Sequence, residues 1–271
     1  MTPSEHRFMT FVALREPATI SPDRLVEAIR ERTPALAPHM NVISAGADTS
    51  ESFIIQAGPL AVTIISVPQP VPKGTFDQAV ELARTWPDAG KALARHRAHI
   101  IIGSLRPVTD HAGAVAQARV VSLITAAVCA LTPAIGVYWS SGQVVTETGA
   151  FQEEVTTKDF PFETWISFRW LDGPRTSKGE RTLAVITNGL LPFVGREIEF
   201  QPVPLSPAEI ALRVLGTIHV LLAKGPVLKD GDTVGISPAE HIRVRHANHG
   251  QRRGVPVLAL SVEQIAGSPE K

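Results

Sequence analysis

Apolar and polar residues follow each other in runs that predict both strands and helices along the chain. A short β-branched stretch, His99–Leu105, predicts a strand that is buried on both faces of a sheet, and Ile135–Trp139 predicts a second strand. Between them, an apolar stretch from His111 to Leu131 predicts a long helix, which Asp110 caps and Thr132-Pro133 ends. Such a β-α-β unit needs more sheet to pack against, and the rest of the chain supplies it.

The first part of the chain repeats this pattern. A strand at Phe8–Leu14 precedes a helix at Pro22–Arg32, where proline occupies the first helical position. Further strands and two short helices are predicted at Asn41–Ala45, Phe53–Gln56, Leu60–Val67, Phe76–Thr85 and Asp88–His96. Two β-α-β pieces on one antiparallel or mixed sheet are typical of ferredoxin-like and related α+β folds.

The last part contains the clearest helix signal. Ser206 and Glu209 form a capping box, and Gly225-Pro226 provides the stop after Lys224. Ile210, Val214, Ile218 and Leu222 recur every four residues and predict the face that packs on a sheet. Strands are predicted at Trp165–Leu171, Thr182–Thr187, Glu197–Gln201, Thr233–Ile236, Ile242–His246 and Val255–Val262.

A polar, weakly periodic segment, Gly142–Asp159, predicts a boundary or a long loop. We therefore expect an α+β protein with two sheet-and-helix halves, residues 1–145 and 160–265. The first half contains the ferredoxin-like β-α-β units, and the second is mostly antiparallel sheet with one covering helix. The 271 residues, 44% of them hydrophobic, suffice for one large core or two smaller ones.

Charge and cysteine content narrow the function classes. Lys+Arg and Asp+Glu number 26 each, so the balance does not favour a nucleic-acid or membrane-surface protein. A lone cysteine, Cys129, excludes an intramolecular disulfide, and residues 1–7 show no signal-peptide pattern. Val120–Trp139 is uncharged and long enough to span a bilayer, but Pro133 and Gly136 favour a buried helix followed by a strand. We expect a cytoplasmic protein.

Candidate catalytic groups are sparse. His96, His99 and His111 do not have a spacing that places two imidazoles on one face, so neither a metal nor another cofactor is predicted. Cys129 lies in an apolar helix, where a buried thiol is expected. No GxSxG motif is present, and no GxxxxGKS/T or GxGxxG motif follows a strand. The Asp230-Gly231-Asp232 segment is typical of a turn, because it lacks the other ligands of an EF-hand.

One concentrated charge feature stands out. The segment Ile242–Gly254 holds four arginines, two histidines and no acidic residue, which suits either a solvated hairpin tip or the capture of an acidic partner or phosphate. It has no interleaved aromatic residues, which argues against single-stranded nucleic acid. The apolar, irregular segment Gly189–Phe193 either fills the core or exposes a contact patch. The candidate binding residues are therefore Arg243, Arg245, His246, His249, Arg252, Arg253 and Phe193.

Several short pieces of the last part of the chain occur together in a known family. They are Thr187-Asn188-Gly189-Leu190 with Phe193, Gly195-Arg196-Glu197, the helix after Ser206, and Asp230-Gly231-Asp232-Thr233-Val234-Gly235. On these pieces, residues about 181–262 resemble the bacterial domain of unknown function 4261. Upstream, Val71-Pro72-Lys73-Gly74, Trp86-Pro87 and Ala134-Ile135-Gly136-Val137-Tyr138 resemble the region that often precedes it. Val194 stands where members usually have glycine. The resemblance implies an α+β build and a bacterial origin, and no reaction.

Two functions from different classes follow from these observations. The first is a non-enzymatic protein-interaction module whose protein partner has an acidic surface, without nucleic acid or membrane. An immunity- or antitoxin-like protein is one form of it, by family-level analogy. The alternative is a small-molecule enzyme with a site between the two halves, in which His96, His99 or Glu197 acts as acid or base.

Overall fold

The computed structural model describes residues 6–33, 39–45, 51–251 and 254–264. The chain forms two compact units, unit 1 (Met1–Ser167) and unit 2 (Phe168–Lys271). Each unit combines a largely antiparallel sheet with helices, so the predicted α+β class is confirmed.

The sheet of unit 1 has seven strands, in the order β2-β3-β4-β5-β1-β6-β7. They are β1 (Met9–Leu14), β2 (Met40–Ala45), β3 (Ser52–Ala57), β4 (Leu60–Val67), β5 (Ala98–Ser104), β6 (Ala134–Trp139) and β7 (Val144–Glu147). Every neighbouring pair is antiparallel. Strands β5 and β6 therefore run parallel with β1 between them, which is the split β-α-β connection of ferredoxin-like folds in a wider sheet.

One face of this sheet is covered by the long helix α4 (His111–Leu131), which lies against β1 and β5. Asp110 caps it as predicted, because its Oδ1 accepts a 2.7 Å hydrogen bond from the amide of Gly113. Helices α1 (Pro22–Arg32) and α5 (Thr148–Thr157) contact it on this face. Helix α4 is long and apolar enough to cross a membrane, with a hydropathy of 1.8, but 67% of that window is buried inside the protein.

The opposite face is covered by two short helices, α2 (Asp77–Leu82) and α3 (Ala89–Leu93). Their apolar residues pack on Ala13, Tyr138 and Val145 of the sheet. Trp86, between the two helices, lies so close to β6 that a Cβ at Gly136 would be 2.6 Å from its ring. The two pieces of the upstream resemblance, Trp86-Pro87 and Gly136-Val137-Tyr138, are therefore in direct contact.

The prediction of a boundary or long loop at Gly142–Asp159 is wrong, because this segment is regular secondary structure. This segment forms β7 and α5, and the short helix α6 (Phe162–Trp165) follows it. Val145, Phe151 and Val155 are at most 3% exposed, so a few apolar side chains suffice to bury one side of each element. The remaining residues of β7 and α5 are mostly polar, so the sequence shows no clear apolar repeat in this segment.

The sheet of unit 2 has six strands, in the order β11-β12-β13-β10-β9-β8. They are β8 (Ser167–Asp172), β9 (Leu183–Asn188), β10 (Glu197–Val203), β11 (Thr233–Val234), β12 (His241–Ala247) and β13 (Val257–Gln264). Strands β10 and β13 pair in parallel, whereas β9 with β10 and β12 with its two neighbours pair antiparallel.

Helix α8 (Pro207–Lys224) covers one face of this sheet. Its capping box at Ser206 and Glu209 is present as predicted. The residues predicted to face the sheet are at most 1% exposed, which confirms the helix and its orientation: Ile210, Val214, Ile218 and Leu222. A single turn of helix, α7 (Leu191–Val194), connects β9 to β10.

Candidate binding surface

Strand β10 begins with a carboxylate that organises the loop before it. Glu197 is 2% exposed, and its two oxygens accept hydrogen bonds from the Thr187 hydroxyl at 2.7 Å and from three backbone amides. These amides belong to Gly189, Leu190 and Leu191, at 2.9 to 3.1 Å. Burial raises the pKa of the Glu197 carboxyl above its usual value, and the four hydrogen bonds oppose that rise. The arrangement is that of a structural residue, whose carboxylate holds the turn that carries α7.

Two residues later, Glu199 supports the connection between β12 and β13, residues 248–256, which we call the tip. Its Oε2 accepts a 2.8 Å hydrogen bond from the amide of Gln251, although the residue is only 5% exposed. A Cβ at Gly250 would lie 2.0 Å from the same oxygen, so a larger residue at position 250 would have to displace this carboxylate. The Arg196 guanidinium donates to the carbonyl of Ala247 at 2.9 Å. Side chains in and just before β10 therefore hold the backbone at the base of the tip.

Arg243 and Arg245 project from the same face of β12, as the strand period predicts, but both already have acidic partners. Arg243 donates through Nε and Nη2 to the two oxygens of Glu263, at 2.9 and 2.7 Å. Arg245 lies 3.5 Å from Asp230, and both side chains are more than half exposed. Arg243 is thus engaged within unit 2 by a bidentate pair, and its role in binding a partner stays a prediction.

His246 lies at the end of β12, and His249 lies in the tip. The His246 amide donates to Asp230 at 2.7 Å and its Nε2 lies 3.0 Å from the carbonyl of Leu228. The bond from the His246 amide, with the charge of Arg245 as a smaller contribution, lowers the pKa of Asp230. His249 is exposed at the tip. Arg252 and Arg253 lie outside the described residues.

Phe193 does not form an exposed contact patch. Its side chain is 2% exposed, and its neighbour Leu190 is fully buried. The segment Gly189–Phe193 therefore fills the core of unit 2, which was the other interpretation of this apolar loop. The reason lies in Glu197, whose hydrogen bonds turn the loop inward.

The two histidines considered as acid or base belong to unit 1 and have structural partners there. Nε2 of His96 accepts a 2.8 Å hydrogen bond from the amide of Val71, and its Nδ1 donates to the carbonyl of Leu93. Nδ1 of His99 donates to the carbonyl of Gln69 at 2.7 Å. Burial lowers the pKa of His99. Both imidazoles tie the proline-rich segment 68–72 to the end of α3 and the start of β5.

The other candidate groups also have structural surroundings. Cys129 is 4% exposed, and burial raises the pKa of its thiol to about 12. Among the residues that the structure describes, no group of three or more His, Cys, Asp or Glu side chains is placed to hold a metal ion.

A buried ion pair was missed by the sequence analysis. Arg213 of α8 donates to Oε1 of Glu240, and the two side chains are 6% and 1% exposed. The second oxygen of Glu240 accepts from the amide of Ile236 at 2.8 Å. Arg213 and Glu240 are 27 positions apart, so no local pattern in the sequence indicates this pair.

Fold and surface together define a two-unit α+β protein. Its second unit carries a hairpin tip whose backbone is held by the buried carboxylate of Glu199 and by Arg196. Residues 186–261 match the family model described as Domain of unknown function (DUF4261), which confirms the resemblance seen in the sequence. The match contains the Glu197 loop, α8 and the tip. No curated protein and no solved structure matches the chain.

Proposed function

We propose that this protein is a non-enzymatic interaction module that engages an acidic surface of a protein partner through the tip. The observation that carries the proposal is the base of the tip. Glu199, almost fully buried, accepts a hydrogen bond from the Gln251 amide, and Arg196 donates to the carbonyl of Ala247. Burying the charged side chain of Glu199 is costly, and here that cost is offset by a hydrogen bond that orders a surface loop.

The charges in the tip and in the adjoining strand β12 support the choice of an acidic partner. Arg245 is 62% exposed and only loosely paired, and His249 is exposed. The sequence adds Arg252 and Arg253 to the same connection, and residues 247–256 contain no acidic residue. Guanidinium groups recognise carboxylates through paired donors, so an acidic protein surface is the matching partner.

The groups considered for enzyme chemistry favour this proposal over the alternative. Glu197 accepts four hydrogen bonds, and both ring nitrogens of His96 have backbone partners. A catalytic acid or base needs at least one atom that can face a substrate. A cytoplasmic location, and an immunity- or antitoxin-like role in which the captured partner is a toxin, are further parts of the proposal.

The test is capture of a partner from lysate of the native cell, with the purified protein as bait and mass spectrometry as readout. Changing Arg252→Ala and Arg253→Ala together should reduce capture strongly while the melting temperature stays nearly constant. The matched control is Arg175→Ala with Arg181→Ala, which removes the same charge from another exposed turn of unit 2. Equal capture by the tip variant and the control, or unfolding of the tip variant, would refute the proposal. The identity of the captured protein tests the immunity form.

A further inference from the structure

Helix α8 is apolar on the side that faces away from its sheet. The exposed apolar residues on this side include Ala208, Leu212, Gly216 and Ala223. Leu212, at 56%, is the most exposed large apolar side chain that the structure describes. Between Glu209 and Lys224 the exposed side carries one polar residue, His219. An exposed apolar stripe of this kind is typical of a surface that another element covers.

A groove of about 320 Å³ borders this outer side, between α8 and the segment around β11. On the α8 side it is lined by Leu212, Gly216 and Val220, at intervals of four residues, together with the polar residues Arg213 and Thr217. Ile236, which is 53% exposed, lines the opposite side. Leu212 and Gly216 therefore belong both to the outer side of α8 and to the rim of this groove.

Gly216 in the middle of this surface has no role within unit 2. It lies in the interior of α8, and a Cβ added there would meet nothing within 4 Å. Glycine is less stable than alanine in a helix interior, and no neighbouring atom within unit 2 requires the absence of a side chain at position 216. A glycine at such a position is explained by another element that approaches the backbone closely.

The surface is complementary to a second copy of itself. If two α8 helices cross antiparallel at Gly216, Leu212 of one copy lies opposite Val220 of the other, about 6 Å from the crossing along the axis. The same arrangement brings Glu209 of one copy close to Lys224 of the other, at both ends of the contact. Each surface patch then meets an identical patch, as a two-fold interface requires.

The charges at the two ends are available for this contact. Hydrogen bonds from the side chain and the amide of Ser206 lower the pKa of the Glu209 carboxyl, so it is ionised at neutral pH. Only Oε2 of Glu209 takes part in these bonds. Lys224 is exposed in the last turn of the helix. Antiparallel helix dipoles add a favourable term.

We propose that the protein forms a two-fold dimer in which the outer faces of two α8 helices pack antiparallel across Gly216. This inference goes beyond the proposed function, because it concerns another surface. Ile242 and Val244 face the core beneath α8, whereas Arg243 and Arg245 project from the other side of the sheet. A dimer through α8 leaves both tips accessible and gives the module two binding sites, which raises its avidity.

The first experiment is sedimentation of the purified full chain from micromolar to millimolar concentration. The natural sequence should show a monomer–dimer equilibrium. Gly216→Leu should weaken dimerisation by about tenfold or more, while the monomer melts at the same or a higher temperature. The control is Gly149→Leu, at a helical glycine of α5 whose added Cβ also meets nothing within 4 Å. Leu212→Gln, at an exposed position, provides a second interface variant should Gly216→Leu fail to fold.

The second experiment tests the geometry of the contact. Gly216→Cys should form an intermolecular disulfide under mild oxidation, because the crossing places the two copies of residue 216 together. Ala208→Cys should not, since residue 208 faces the far end of the partner helix. A natural chain that stays monomeric throughout the range refutes the dimer. A dimer that persists unchanged in both interface variants, or that Gly216→Cys does not cross-link, refutes the α8 interface. A monomer that binds only another protein on α8 also refutes the proposal.

Discussion

Replacing Glu197 with glutamine tests the buried acceptor that organises the loop before β10. The substitution keeps the shape of the side chain but turns one of its oxygens into an NH₂ group. Oε1 accepts from the amides of Gly189 and Leu191, whereas Oε2 accepts from the Leu190 amide and the Thr187 hydroxyl. The glutamine will place its NH₂ group at the Oε2 position. There only the Leu190 amide loses its acceptor, because the Thr187 hydroxyl can rotate and accept a hydrogen bond from the NH₂ group instead.

The magnitude follows from these contacts. One buried amide without an acceptor costs about 1–3 kcal/mol, and each remaining bond weakens by about 1 kcal/mol when the acceptor loses its charge. Removing a buried charge offsets part of this loss, as the raised pKa of Glu197 indicates. We expect a net destabilisation of unit 2 by about 2–4 kcal/mol, or a fall of roughly 10–20 °C in its melting temperature.

The assay is calorimetry of the full chain together with peptide-resolved hydrogen exchange, which assigns the transition to unit 2. Protection of the amides of Leu190 and Leu191 should fall first, because they donate to Glu197. The matched control is Glu263→Gln on β13, an exposed carboxylate paired with Arg243 whose loss should change the melting temperature little. If Glu197→Gln shifts the transition of unit 2 no more than this control, the buried-acceptor reasoning is wrong.

Four further predictions concern the cores of the two units. Ile218→Ala, at a fully buried position of α8, should cost about 2–5 kcal/mol in chemical denaturation; an unchanged midpoint would contradict its packing. Glu240→Ala leaves the Arg213 charge buried and should cost about 3–5 kcal/mol, whereas replacing both partners with apolar residues should cost less. Cys129, with a pKa of about 12, should react with thiol reagents at neutral pH only after unfolding, so fast labelling of the folded protein would refute its burial. Because burial lowers the folded-state pKa of His99 below 6.5, the unfolded chain binds more protons as the pH falls, and unit 1 should lose stability below that pH. His99→Asn should flatten this part of the pH profile of the melting temperature, and an identical profile in the variant would contradict the role of His99.

Local sequence signals were sufficient for the two longest helices. Both α4 and α8 begin and end where their caps and stops predicted, at His111–Leu131 and Pro207–Lys224. A cap, a proline stop and an apolar repeat of four residues involve only neighbours within one or two turns, so they can be read without the fold. In α5 only Phe151 and Val155, four residues apart, are buried. Two apolar residues among polar ones are too few for the sequence to predict a helix.

The candidate surface depended on contacts between residues far apart in the chain. Glu199 and Gln251 are 52 positions apart, and no local pattern indicates that a buried carboxylate supports the tip. The sequence indicated the cluster of arginines, but only the structure shows that Arg243 pairs with Glu263.

What the sequence determined by itself is most of the elements, the apolar faces of the long helices and the α+β class, because these depend on the order of residues along short stretches. The tertiary structure decided which strands pair, including the parallel pair β10 and β13. It also decided what each polar residue does. Whether a carboxylate such as Glu197 is a base, a ligand or a structural acceptor depends on which donors surround it after folding, and those donors come from the path of the whole chain.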